Sequence, residues 1–144
     1  MTIRPMRRED LPACARILQS VYNNVLWQGR WNEETALAYL TDFYEIKKFV
    51  GFVLEDDAII GALFGREKVW WNNSEVFVEE MFISPQYQHK GYGTLLMRHL
   101  EAYIRERDLA GITLTTNRYA PAPDFYRKNG FVDCSHVLCM AKEL

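Results

Sequence analysis

Apolar positions along the chain change their spacing several times, and each change marks an element. TIRPMR (2–7) reads as a short opening strand, with Pro5 compatible with a sheet edge. REDLPACARILQSVYNN then places Leu11, Cys14, Ile17, Leu18 and Val21 at helical spacing, and Glu9-Asp10 suit the positive end of a helix. Asn32 reads as the N-cap of a second helix, NEETALAYLTDFY, with glutamates in its first turn. KFVGFVLED and AIIGALFGREKVWW follow as two strands joined around Asp56-Asp57, a hairpin signal. The turn NNS (72–74) leads into a fourth strand that contains VEEMFIS.

Beyond a glycine-containing turn, Leu96, Leu100, Tyr103, Ile104 and Arg107 share one helical face, opposite Arg98, Glu101 and Arg105. GITLTTN (111–117) reads as a strand. PDFYRKNG reads as a short helix, with Pro123 at its first position and Asn129-Gly130 as its stop. FVDC and VLCMAKE close the chain as two more strands. The order is βααβββαβαββ. The passage from 78 to 117 requires a parallel pair with a crossover helix, whereas the hairpins require antiparallel neighbours. A single α/β domain over residues 1–144, with a mixed twisted central β-sheet flanked by about four helices, is therefore expected. No repeat or linker-like tract divides it.

Composition narrows the function classes. With 49% hydrophobic and 25% charged residues over 144 positions, the chain is an ordinary globular mixture able to bury a core. A formal net charge of −2 and scattered basic residues argue against a nucleic-acid partner. No apolar run reaches spanning length, and no signal-like segment opens the chain, so no membrane association is expected. Cys14, Cys134 and Cys139 lack metal or redox spacing and are expected to be reduced core thiols in a cytoplasmic protein. The three histidines likewise show no ligand spacing, so no metal site is expected.

The chemistry concentrates in VEEMFISPQYQHKGYGTLLMRHL (78–100), where Glu79 and Glu80 open an apolar strand and Pro85 ends it. Gln88-His89-Lys90-Gly91-Tyr92-Gly93 then turns into a helix expected to begin around Thr94. The first amides of a helix lack intrahelical partners, and glycines let an anion approach them, so the turn can cradle phosphate. It is no Walker loop, since neither glycine precedes Lys-Ser/Thr, and no dinucleotide fingerprint, since Leu96 occupies the third glycine position.

Met81-Phe82-Ile83-Ser84-Pro85, Gln88, Gly91 and Gly93 together resemble the acetyl-CoA motif of the Gcn5-related N-acetyltransferase (GNAT) family. Asn117 and Phe125-Tyr126-Arg127-Lys128-Asn129-Gly130-Phe131 resemble its later N-x-x-A…FYxKxGF segment, and the element order matches across the chain. Gln88 departs from the commoner arginine, and the RYAPAP stretch after Asn117 departs from the plainer family pattern.

The resemblance implies that Gln88, His89, Lys90, Gly91, Tyr92, Gly93 and Thr94 hold the pyrophosphate of acetyl-CoA. It places the main chain around Met81, Phe82 and Ile83 on the pantetheine arm, with the Met81 N–H as oxyanion donor. It assigns Tyr126 as the acid for the leaving thiolate and, by similarity to polyamine acetyltransferases, Glu79 as base through water. Homodimers are common in the family.

Strand alternation forbids Glu79 and Glu80 from entering one pocket unless a bulge intervenes; both stand as candidates for the base, with Glu79 preferred and Glu80 otherwise a bystander or a substrate contact. Trp27, Trp31, Tyr39 and Tyr44, with Glu33, Glu34, Asp42 and Glu45 nearby, suit a cationic small amine as acceptor. A polyamine, an aminoglycoside-like amine or an amino-acid amine fits this description. A protein N-terminus or lysine is the alternative acceptor, and a non-catalytic acyl-CoA-binding module is the alternative function.

Overall fold

A computed structural model describes residues 1–144. Five strands form one sheet in the order β1 (Thr2–Pro5), β2 (Phe49–Asp56), β3 (Ala58–Val69), β4 (Ser74–Ile83) and β5 (Ile112–Leu114). The first four pair antiparallel, and β4 pairs parallel with β5. Helices α1 (Leu11–Tyr22) and α2 (Glu33–Tyr44) lie on one face of the sheet. α3 (Tyr92–Glu106) crosses over on the other face and α4 (Ala122–Lys128) follows β5.

Local chemistry accounts for the boundaries. The Asn32 side chain accepts from the Thr35 amide at 2.8 Å and Thr35 Oγ1 accepts from the Asn32 amide at 3.0 Å, a reciprocal cap that starts α2. Asn129 and then Gly130, at φ 90°, stop α4. Asp10 accepts from Arg4 Nη1 and Nη2, at 2.8 and 2.9 Å, and from the Arg7 amide at 2.7 Å, tying β1 to the start of α1.

Two cores flank the sheet. Leu18, Leu40, Phe64 and Phe82 pack on the α1/α2 side, and Leu54, Leu63, Leu96 and Leu100 on the α3 side. No helix is long and apolar enough to cross a membrane.

Three expectations change. α3 begins at Tyr92, two residues before Thr94, and β5 covers only Ile112–Leu114 of the expected 111–117. FVDC and VLCMAKE form no strands: residues 132–144 are exposed, held locally by a turn from the Val137 amide to the Cys134 carbonyl and by Asp133, which accepts from Arg127 Nε and Nη2 at 3.0 Å each. Alternation fits those segments to a strand, but a strand also needs a neighbour to pair with, and β5 is three residues long. Cys134 and Cys139 are consequently exposed rather than core residues, whereas Cys14 is buried and its thiol is pushed up to about 12 by desolvation.

Candidate active site

One feature of β4 builds the site. Phe64 pairs with Glu80, but its neighbour Gly65 pairs with Val78, so Glu79 is an extra residue in β4, a β-bulge. Before the bulge, Val76 and Val78 pack on the α3 side; after it, Phe82 packs on the α1/α2 side. The bulge has therefore shifted the alternation by one residue, and two consecutive carboxylates reach the α1/α2 face.

Beyond Val78 and Leu114, β4 and β5 no longer pair. A cleft of about 1000 Å³ opens there, lined by residues 78–83 of β4, Leu114 at the end of β5 and residues 115–117 after it, the glycine turn, and Phe125 and Tyr126 of α4. Glu79 and Glu80 both line it.

The two acids differ in their surroundings. Glu79 Oε1 accepts from Arg66 Nε at 3.0 Å, an ion pair with a β3 neighbour. Glu80 has no cationic partner. Tyr22 Oη donates to its Oε1 at 3.0 Å, and Tyr39 Oη donates to its Oε2 at 2.8 Å. Desolvation raises the Glu80 carboxyl above the usual range, the two tyrosine bonds oppose that rise, and the charge of Glu79 adds to it.

Tyr126 lines the cleft between Phe125 and Phe131, at centroid distances of 5.2 and 5.4 Å. Burial first, and then the charge of Glu80, pushes its phenol up to about 12, so it carries its proton throughout the physiological range. No buried side-chain polar atom lacks a partner, and no side-chain bond engages this hydroxyl, so it faces the open cleft.

The glycine turn also lines the cleft. His89, at φ 61°, and Gly91, at φ 86°, bend the chain into α3, whose N-cap Gly91 offers no side chain to satisfy the first helical amides. Gly93 is needed for closeness: a Cβ there would stand 3.0 Å from Phe125 Cε1 and 3.4 Å from Met81 Cε. Gln88 turns inward, its Nε2 donating to the Ile83 carbonyl at 2.9 Å, so it fixes the turn to the strand. Gln88, His89, Gly91, Tyr92, Gly93 and Thr94 line the cleft with Arg98. Lys90 does not line it; its ammonium lies 5.8 Å from the Tyr87 ring centroid. Asn117 lines it too, while its side-chain carbonyl accepts from the Tyr119 amide at 2.9 Å and shapes the following loop.

Trp27 and Trp31 form part of the lining, packed on Tyr22 at 5.1 Å and Tyr39 at 4.8 Å respectively. Tyr44, Glu33, Glu34, Asp42 and Glu45 do not line the cleft. Tyr44 packs on Phe49, Glu45 pairs with Arg8 and Glu33 with Arg16. Sequence reasoning missed Tyr22 as a site residue, because its contact with Glu80 spans 58 positions.

A sheet splayed beyond Val78 and Leu114, with an uncapped glycine turn and two adjacent acids lining the same cleft, has the layout of an acyltransferase site. Residues 12–131 match the acetyltransferase (GNAT) family, and the chain belongs to that family.

Over 63 residues it is 38% identical to the streptothricin acetyltransferase of Streptomyces lavendulae, a match covering 43% of this chain and 33% of that relative. Its fold is shared by a possible acetyltransferase from Clostridium difficile 630, at TM-score 0.83 and 13% identity over 99% of this chain and 97% of the other. It is also shared by an aminoglycoside acetyltransferase from an uncultured soil metagenomic sample, solved with sisomicin. That comparison gives a TM-score of 0.75 and 17% identity over 99% of this chain and 95% of the other.

Proposed function

We propose that the protein transfers an acetyl group from acetyl-CoA to a primary amine of a cationic small molecule, by direct attack in a ternary complex. The observation that carries the proposal is Glu80: a carboxylate without a cation, open to the cleft, beside a second acid and framed by aromatic rings. A cationic amine supplies the missing positive charge, and Trp27 and Trp31 offer cation–π faces to it.

The residues present fit acetyl-CoA. The uncapped amides of Tyr92, Gly93 and Thr94, beside Arg98, suit its pyrophosphate, and the unpaired edge of β4 around Met81 and Ile83 suits its amide-bearing arm. When bound, the cofactor supplies an activated thioester. Gln88 holds the cradle in register with that edge, and Lys90 is left to long-range attraction of phosphate.

Glu80 takes the ammonium proton and leaves the amine nucleophilic. A carboxyl raised above its usual range is a better base for this task than an ion-paired one. The role expected for Glu79 thereby passes to its neighbour, while Glu79, held by Arg66, adds negative potential for the incoming cation. The Met81 N–H donates to the oxygen that gains charge, and Tyr126 gives its proton to the departing sulfur. The free thiols suit a reducing, cytoplasmic setting for this chemistry.

The test is a panel of aminoglycosides, streptothricin-type antibiotics, polyamines, amino acids and lysine or N-terminal peptides, with released CoA thiol as the readout. Turnover concentrated on the cationic small molecules is expected. Turnover on peptides alone would make the protein a protein acetyltransferase. Acetyl-CoA binding without thiol release on any amine would make it a binding module.

A further inference from the structure

We infer that Tyr22 and Tyr39 are positioning residues for the transfer, a two-helix clamp that fixes the Glu80 carboxylate and keeps it ionisable inside the cleft. The inference rests on the acetyl-transfer reading for its purpose but not for its geometry.

The two phenols come from different helices, Tyr22 from the last position of α1 and Tyr39 from the middle of α2, and each takes a different oxygen. One donor would leave the carboxylate free to rotate about its last torsion; two donors on opposite oxygens set its plane. Each oxygen keeps a second lone pair, so the carboxylate can still accept from an ammonium.

The phenols are themselves held. The Trp27 ring meets Tyr22 edge-on at 5.1 Å, and Tyr39 is flanked by Trp31 at 4.8 Å and Phe43 at 4.7 Å. The surrounding aromatic rings thus brace the two phenols that hold the acid. Burial and the Glu80 charge both push the two phenols upward, so they serve as fixed donors rather than acids.

The groups facing Glu80 can be named from every packed element. Tyr22 comes from α1, Tyr39 from α2, Tyr126 from α4, and Glu79 from β4, itself neutralised in part by Arg66 of β3. Among these, only the two clamping tyrosines donate hydrogen bonds to the charged form. Their removal leaves desolvation and Glu79 unopposed.

The experiment is a carboxyl-carbon NMR titration of glutamate-labelled protein, with Glu80 assigned by the signal that Glu80→Gln removes. In Tyr22→Phe and in Tyr39→Phe the Glu80 midpoint should rise by about one pH unit each. The acid limb of the kcat/KM profile should move up with it, and thermal unfolding should show that both variants fold. A merely structural role for the tyrosines would change the melting temperature and leave the midpoint in place. An unmoved midpoint in both variants overturns the inference. Absence of turnover on every amine overturns the acetyl-transfer reading, a failure the titration distinguishes because it needs no substrate.

Discussion

Arg66 and Glu79 form a 3.0 Å ion pair across the bulge in β4, so one carboxylate of the acidic pair is matched by a cation while its neighbour is matched only by phenols. That inequality orders the two acids chemically. Glu80→Gln should lower kcat by about a hundredfold or more, the usual worth of a placed base. Glu79→Gln should cost less than about tenfold, felt mainly in KM as weaker attraction of the cation. Steady-state kinetics on the best amine of the panel decides it, and equal losses in kcat would return Glu79 to the role of base.

Tyr126→Phe keeps the ring between Phe125 and Phe131 and removes only the hydroxyl. A fall in kcat of about a hundredfold with little change in KM is expected for a lost proton donor. Thiol-release kinetics checks it, and full turnover in the variant would remove Tyr126 from the mechanism.

The glycine turn should distinguish conformation from closeness. Gly91→Ala places a side chain at φ 86° with open space around it, so the cost is backbone strain of about 1–2 kcal/mol. Gly93→Ala meets Phe125 and Met81 instead and pushes α3 away from both. Both should lose stability by differential scanning calorimetry. Calorimetric titration with acetyl-CoA should show the larger affinity loss for Gly93→Ala, because that displacement moves the cradle relative to β4.

Asp10 gives a test far from the cleft. The Arg4 guanidinium holds its carboxyl below the usual carboxylate range, against an opposing effect of burial. A folded pKa lowered in this way contributes stability that is present above the unfolded value of about 3.9 and lost as pH falls through the folded one. Asp10→Ala should cost about 1–2 kcal/mol at neutral pH by denaturant unfolding, since it removes the bonds from Arg4 and from the Arg7 amide while Arg4 keeps its pair with Glu55. Asp10→Asn should also be less stable than the parent at neutral pH, and the gap between them should close in acid.

Much of this was legible in the chain. Hydrophobic spacing located the first three helices and the first five strands, Pro123 and Asn129-Gly130 marked the fourth helix, and Asn32 announced the cap that starts α2. The glycine turn and the acidic pair could be read as chemistry because turns and adjacent residues are local. The clamp could not, since Tyr39 and Glu80 lie 41 positions apart and meet only through helix packing. Nor could the bulge, which is a fact about the register of two strands rather than about either one. The tail misled for the opposite reason: Val132, Leu138 and Met140 carry a strand-like pattern, but local pattern does not supply a neighbouring edge.

The bulge makes the position of the acid a matter of counting. With Glu79 deleted, β4 would alternate without interruption, and Glu80 would still fall on the α1/α2 face, opposite to Val78. What the extra residue adds is a bend in β4 just where its pairing with β5 ends. A chain shortened by that one residue would own a straighter sheet and every catalytic side chain assigned to the transfer. It would also lose the local twist that accompanies the parting of the two strands, and with it a reason for the sheet to stay open.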